Sequence, residues 1–190
     1  MTGNTGTQFS GRGMFEFDVP KHLVGEEFFI EAHCRMFGPG FAIHGEIHED
    51  GVTKHEHIGF VHWGDTTHLM IPGQYERLVV KGASSDRKTG RWSLECKSLS
   101  ELPELSSENS AGASRMFLVR GGAQRADVEF AGAGSVRHFD LEGGKEQELA
   151  CNTGSFRGTI TIPGEGVVAI SQPFGGWGPM QKWKLTLRRR

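Results

Sequence analysis

Residues Phe41 to Trp63 read FAIHGEIHEDGVTKHEHIGFVHW. Two alternating runs meet at Asp50-Gly51, a dipeptide that favours a two-residue hairpin turn. The turn sets the register: Glu49 faces Val52, His48 faces Thr53, Glu46 faces His55, and His44 faces His57. Residues opposite one another share a sheet face. The reading therefore places His44, Glu46, His48, His55 and His57 on one side, and Phe41, Ile43, Ile47, Ile58 and Phe60 on the other. The apolar side is the core side, and the histidines face outward.

Outward from this hairpin the pattern stays β. Further strands are expected at 14–19, 27–33, 68–71, 75–81 and 91–97. After an interruption they resume at 116–120, 127–131, 136–141, 147–151, 158–162, 166–172 and 182–188. These are short runs rich in aromatic and β-branched residues, bounded by Gly, Pro, Asp and Asn. No stretch sustains helical periodicity. The interruption, SLSELPELSSENSAGAS at 98–114, is rich in Ser and Glu and reads as a linker. Residues 1–8 read as a flexible arm.

The two strand-rich halves resemble each other. Ile71-Pro72-Gly73 recurs as Ile162-Pro163-Gly164, and Trp92-Ser93-Leu94 as Trp183-Lys184-Leu185, both at an offset of 91 residues. Leu78-Val79-Val80 lies opposite Val168-Ala169-Ile170, Ile58-Gly59 opposite Thr153-Gly154, and Met14-Phe15 opposite Met116-Phe117. Such a period is too long for a solenoid unit and fits a duplicated domain. The recurring positions are strand ends and core residues. Pro cannot continue a ladder, Gly turns the chain, and Trp-x-Leu places two large side chains on one face. The expected architecture is all-β: two antiparallel, jelly-roll-like β-sandwich repeats at 9–97 and 115–190, joined by the 98–114 linker.

With Phe41-Ala42-Ile43, Asp50-Gly51, Ile58-Gly59, Ile71-Pro72-Gly73 and Trp92-Ser93-Leu94 in order, the first repeat resembles the β-sandwich modules appended to bacterial proteins. It is similar to pre-peptidase C-terminal domains. The resemblance implies a sandwich fold and a non-catalytic role.

Composition narrows function. The 190 residues carry a net charge of −2, uneven along the chain: −5 over 1–105 and +3 over 106–190. Neither half is basic enough to point to nucleic acid. No apolar run reaches the ~18 residues of a membrane span, and no signal-peptide core precedes the first strand. Cytoplasmic synthesis is the expectation. Three cysteines, none in a CxxC, fit free thiols rather than a disulfide framework or a Cys-based zinc site.

The sharpest chemical feature is the histidine hairpin. Eight of the nine histidines lie between residues 22 and 68, four of them in 44–57. Opposed His44 and His57, with Glu46 or His55 as a third donor, have the residue types to hold a divalent metal such as zinc. The plainer reading is a solvated polar strand face that titrates near pH 6–7. His55-x-His57 with His62 loosely resembles the first metal motif of cupin enzymes, but after His68 the next histidine is His138. No nucleophile elbow or phosphate-binding loop is present. Trp177, in a Gly/Pro-rich loop, is a candidate tip for a partner or sugar. The expectation is a non-catalytic assembly protein that requires no cofactor and binds protein subunits. A capsid-decorating, minor capsid or tail-associated phage protein is its narrow form. A carbohydrate- or metal-binding module is the alternative, and a cupin-like metalloenzyme the least favoured reading.

Overall fold

A computed structural model describes residues 7–35, 39–49, 51–82, 90–141, 145–172 and 180–188. Trp177, Asp50 and the Gly143-Gly144 pair fall outside these. The chain divides into two compact units with the boundary between Leu99 and Ser100.

Among the described residues the first unit has eight strands: β1 (Gln8–Gly11), β2 (Phe15–Asp18), β3 (Phe28–Cys34), β4 (Phe41–Glu49), β5 (Val52–Val61), β6 (Thr66–Ile71), β7 (Arg77–Gly82) and β8 (Trp92–Ser98). They form two antiparallel sheets, ordered β1-β8-β3-β6 and β2-β7-β4-β5. Two four-stranded sheets in this interleaved order are a jelly roll. Alternation builds the core. Phe28, Ile30, Ile71 and Leu94 from one sheet meet Phe17, Phe41, Ile43, Val61 and Leu78 from the other. Phe28, Ile30, Phe41, Ile43 and Leu78 are fully buried.

The second unit repeats this plan strand for strand. Its strands are β9 (Glu108–Ala111), β10 (Arg115–Val119), β11 (Gln124–Phe130), β12 (Gly134–Asp140), β13 (Lys145–Asn152), β14 (Phe156–Ile162), β15 (Gly166–Ser171) and β16 (Trp183–Leu187). The sheets are ordered β9-β16-β11-β14 and β10-β15-β12-β13. Its own core gathers Phe117, Val128, Phe130, Ile160, Ile162, Val168, Trp183 and Leu185. The chain is therefore two jelly rolls of the same topology.

The recurring Trp anchors each copy. Trp92 pairs with Gly11 and Cys34, and Trp183 with Ala111 and Phe130. Each indole N–H donates to a carbonyl just beyond the first strand of its copy: Gly13 O at 3.3 Å and Ala113 O at 2.8 Å.

Several alignments shift. Phe17 matches Phe117, since each faces the matching residue of its neighbour strand, Leu78 or Val168. Each copy has a β-bulge at the same place, between Ile43 and His44 and between Val136 and Arg137. The bulges leave Ile58 and Leu149 unpaired, and both pack against their cores. Ile58 thus corresponds to Leu149, not to Thr153. The 98–114 stretch, expected as a linker, contains a 3-10 turn at Leu99–Glu101 and the edge strand β9. Likewise β1 begins inside the expected arm, and Cys96 N donates to Thr7 O. Among the described residues no helix is long and apolar enough to cross a membrane.

Candidate functional site

The β4–β5 hairpin forms in the expected register, with Glu49 opposite Val52, Glu46 opposite His55 and His44 opposite His57. Gly51 takes the left-handed conformation (φ 76°) that the tight turn requires. The bulge then changes the faces. Beyond it, Phe60 pairs with Ala42 and Val61 with Phe41. Val61 enters the core at 0 % exposure, and Phe60, expected there, turns to the outer face and meets His62 edge-on at 4.8 Å. An inserted residue inverts every later side chain, and Val61 against Phe41 is the better-buried solution.

The outer face is assembled from four strands. His44 lies beside Val79 of β7, which lies beside Glu16 of β2; Glu46 lies beside Arg77, which lies beside Asp18. Glu46 is only 8 % exposed although it is on the outer face. Its carboxylate is ringed by His48 Nε2 (3.2 Å), His55 Nε2 (3.5 Å) and Arg77 Nη1 (3.6 Å). Arg77 Nε also donates to Asp18 Oδ1 at 3.0 Å. A carboxylate this buried needs such partners.

The neighbouring corner is built from His44, His57 and Lys81. The His44 and His57 rings meet edge-on at 5.2 Å between centroids, and the Lys81 amine hydrogen-bonds His55 Nδ1. The buried Nδ1 of His44 has no hydrogen-bonding partner among the described residues. Burial first, then the positive charge of Lys81 and the nearby His57 and His55, pushes the His44 pKa down to about 4.

The four expected metal ligands thus fall into two sets. His44 and His57 stand together; Glu46 and His55 stand with His48 and Arg77. Among the described residues no group of three or more His, Cys, Asp or Glu side chains is arranged to hold a metal ion. Two cations, Arg77 and Lys81, lie within the face. What the arrangement offers directly is a strip of imidazoles beside one nearly buried carboxylate. Arg77 and Lys81 are hidden in the sequence because the apolar run of β7 dominates its pattern, although Arg77-x-Val79-x-Lys81 alternates onto the same side.

On the inner side of this sheet, Tyr75 lies across Gly45, and its hydroxyl donates to Glu56 Oε2 at 2.6 Å. Burial and this carboxylate push the Tyr75 hydroxyl up to about 12. The second jelly roll has an open cleft of about 450 Å3 at one end of β11, β14 and β16. Phe156 and Ala131 line it with Glu129, Arg157, Lys182 and Lys184. Arg157 pairs with Glu129 at 3.2 Å, and Lys184 with Glu108 at 2.6 Å. Trp177 lies outside the described residues.

No family model matches the sequence, and no curated protein does. Among solved structures, the chain is similar to the CUB1-EGF-CUB2 region of human MASP-1/3, at a TM-score of 0.28 and 8 % identity over 95 % of this chain and 98 % of that one. The regulatory domain of Toxoplasma gondii PKA with cAMP matches at 0.24 and 8 %, covering 87 % and 78 %. Bacillus subtilis oxalate decarboxylase matches at 0.22 and 12 %, covering 98 % and 78 %. Scores this low carry no inference about activity or ligand.

Proposed function

We propose that this protein is a non-catalytic assembly component whose first jelly roll docks onto other protein subunits. The observation that supports this is the distribution of exposed apolar side chains. Among the described residues, all five large ones, Met14, Phe15, Val24, Val52 and Trp63, belong to the first unit. Met14, Phe15 and Trp63 sit at the same end of that sandwich, where β2 begins and β5 ends. Phe15 rests on Trp92 at 5.7 Å, so it is held in place while 43 % exposed. Exposed apolar groups gathered at one end of a domain are a feature of contact surfaces. A virion, with the chain as a capsid-decorating, minor capsid or tail-associated protein, is the narrow form of this proposal.

Light scattering on the purified chain, with and without a chelator, tests it. A defined oligomer is expected, and Met14→Ser with Trp63→Ser should dissociate it. Loss of the oligomer on chelation would instead place a metal between copies, at His44 and His57. A chain that stays monomeric and co-sediments with no larger particle would overturn the proposal. The cleft beside Phe156 supports a second reading, a carbohydrate-binding module, because an aromatic ring flanked by charged side chains suits a sugar. Shifts of the Phe156 and Ala131 resonances on titration with oligosaccharides would favour it.

A further inference from the structure

The two ends of the first jelly roll differ in charge. Among the described residues, the loops at the end where β2 begins carry Arg12, Arg35 and Arg91, all exposed. The carboxylate there, Asp65, is buried and accepts from Thr66 N at 2.8 Å. Exposed Met14, Phe15 and Trp63 stand among these arginines. The opposite end reverses the sign. Its loops, which follow β2 and β6, carry Glu26, Glu27 and Glu76, with Lys21 as the one lysine or arginine among the described residues. Asp18 and Glu49 add little net charge, since Arg77 and Lys54 pair with them. This end has exposed apolar groups of its own, Val24 and Val52.

The duplication shows that the sandwich closes without such groups. The second-unit loops that match those of Arg12, Arg35 and Trp63 are 112–114, 131–133 and 153–155, and they read GAS, AGA and TGS. They hold no charged and no large apolar side chain, yet the second unit has the same strand order and its own core.

We infer that copies of this chain associate head to tail, the cationic end of one first jelly roll seating on the acidic end of the next. This rests on the assembly reading above and names the partner as a second copy of the chain. Each end sets apolar side chains within a charged rim, and the two rims have opposite sign. Two cationic ends, or two acidic ends, repel; unlike ends attract. The apolar groups supply the burial, and the charges set the orientation. Phe15 rests on Trp92 before docking, so it has little freedom left to lose. A contact between unlike ends is heterologous, so every copy uses both ends and the order repeats until a ring closes.

Two full-chain variants, each disabled at one end, test the arrangement. One carries Met14→Ser, Trp63→Ser and Arg35→Glu; the other carries Val24→Ser, Val52→Ser and Glu26→Lys. Light scattering should show each alone as a monomer, with its self-dissociation constant raised roughly tenfold or more. Mixed in equal amounts, they should form a heterodimer and nothing larger, because each keeps the end that the other lacks. All six positions are exposed, so urea midpoints should not move. If either triple variant does not fold, Arg35→Glu and Glu26→Lys alone take their places. An oligomer that survives in the second variant, or variants that stay monomeric when mixed, would overturn the head-to-tail contact and leave the assembly reading standing. A monomeric wild-type chain would overturn it as well, and co-sedimentation with a larger particle then decides the assembly reading separately.

Discussion

Gly45 shows how much one missing side chain decides. A Cβ there would run into the ring of Tyr75. The glycine lets the tyrosine lie flat over the inner face of β4 and reach Glu56 on β5. Gly45→Ala is expected to destabilise the first unit by about 1–3 kcal/mol, the usual cost of overpacking. Pairing it with Tyr75→Val should cost less than the sum of the two, because the ring that clashes is gone. Urea midpoints read both; full additivity would show that the clash is relieved elsewhere. Nothing local marks Gly45 in the sequence, where it reads as one gap on the apolar side of an alternating strand, between Ile43 and Ile47. Its partner is thirty residues away, and only the fold brings the two together. His44 and His57, by contrast, were legible, because a two-residue turn dictates what lies opposite what.

At the scale of strands, the strongly alternating ones were legible in the sequence, and the two first strands were not. β1 is QFSG and β9 is ENSA, each four residues long with few apolar positions. A short edge strand pairs on one side only, so its sequence needs little hydrophobic pattern. What fixes β1 is its partner β8 and the contact of Phe9 with Phe17 at 4.1 Å. Deleting residues 1–11 is expected to lower the stability of the first unit by about 2–3 kcal/mol, chiefly through the loss of Phe9 burial. An unchanged urea midpoint would return this segment to the status of a loose arm. The bulge in β4–β5 was hidden for a related reason. Ile58-Gly59-Phe60-Val61 offers two apolar registers, and the choice rests on Phe41 across the sheet and on Leu69, only 2.5 Å from where a Gly59 Cβ would stand.

For the whole molecule, each unit closes its own core around its own tryptophan. Residues 1–99 and 100–190, expressed separately, should each fold and unfold cooperatively with well-dispersed amide spectra. If either fragment proved unfolded alone, its stability would have to come from the other. The duplication was legible because Ile-Pro-Gly and Trp-x-Leu keep their places, and those residues close strands and fill the sandwich centre. The functional face was only half legible. Its histidines stand in one hairpin, but Arg77, Lys81 and Asp18 reach it from strands distant in the chain.

The identical strand order of the two units also creates a hazard during synthesis. A nascent β4 emerges with its proper neighbours β5 and β7, yet β13 and β15, arriving later, are built to occupy equivalent places. Cross-pairing between such copies is a characteristic misassembly of tandem repeats. The divergence at the bulge works against it: a β4 that captured β13 would set His44 and Glu46 against Glu148 and Glu146, placing carboxylate directly beside carboxylate in the second pair. A mismatched β4–β13 pair would thus oppose Glu46 to Glu146, a contact that neither native hairpin contains.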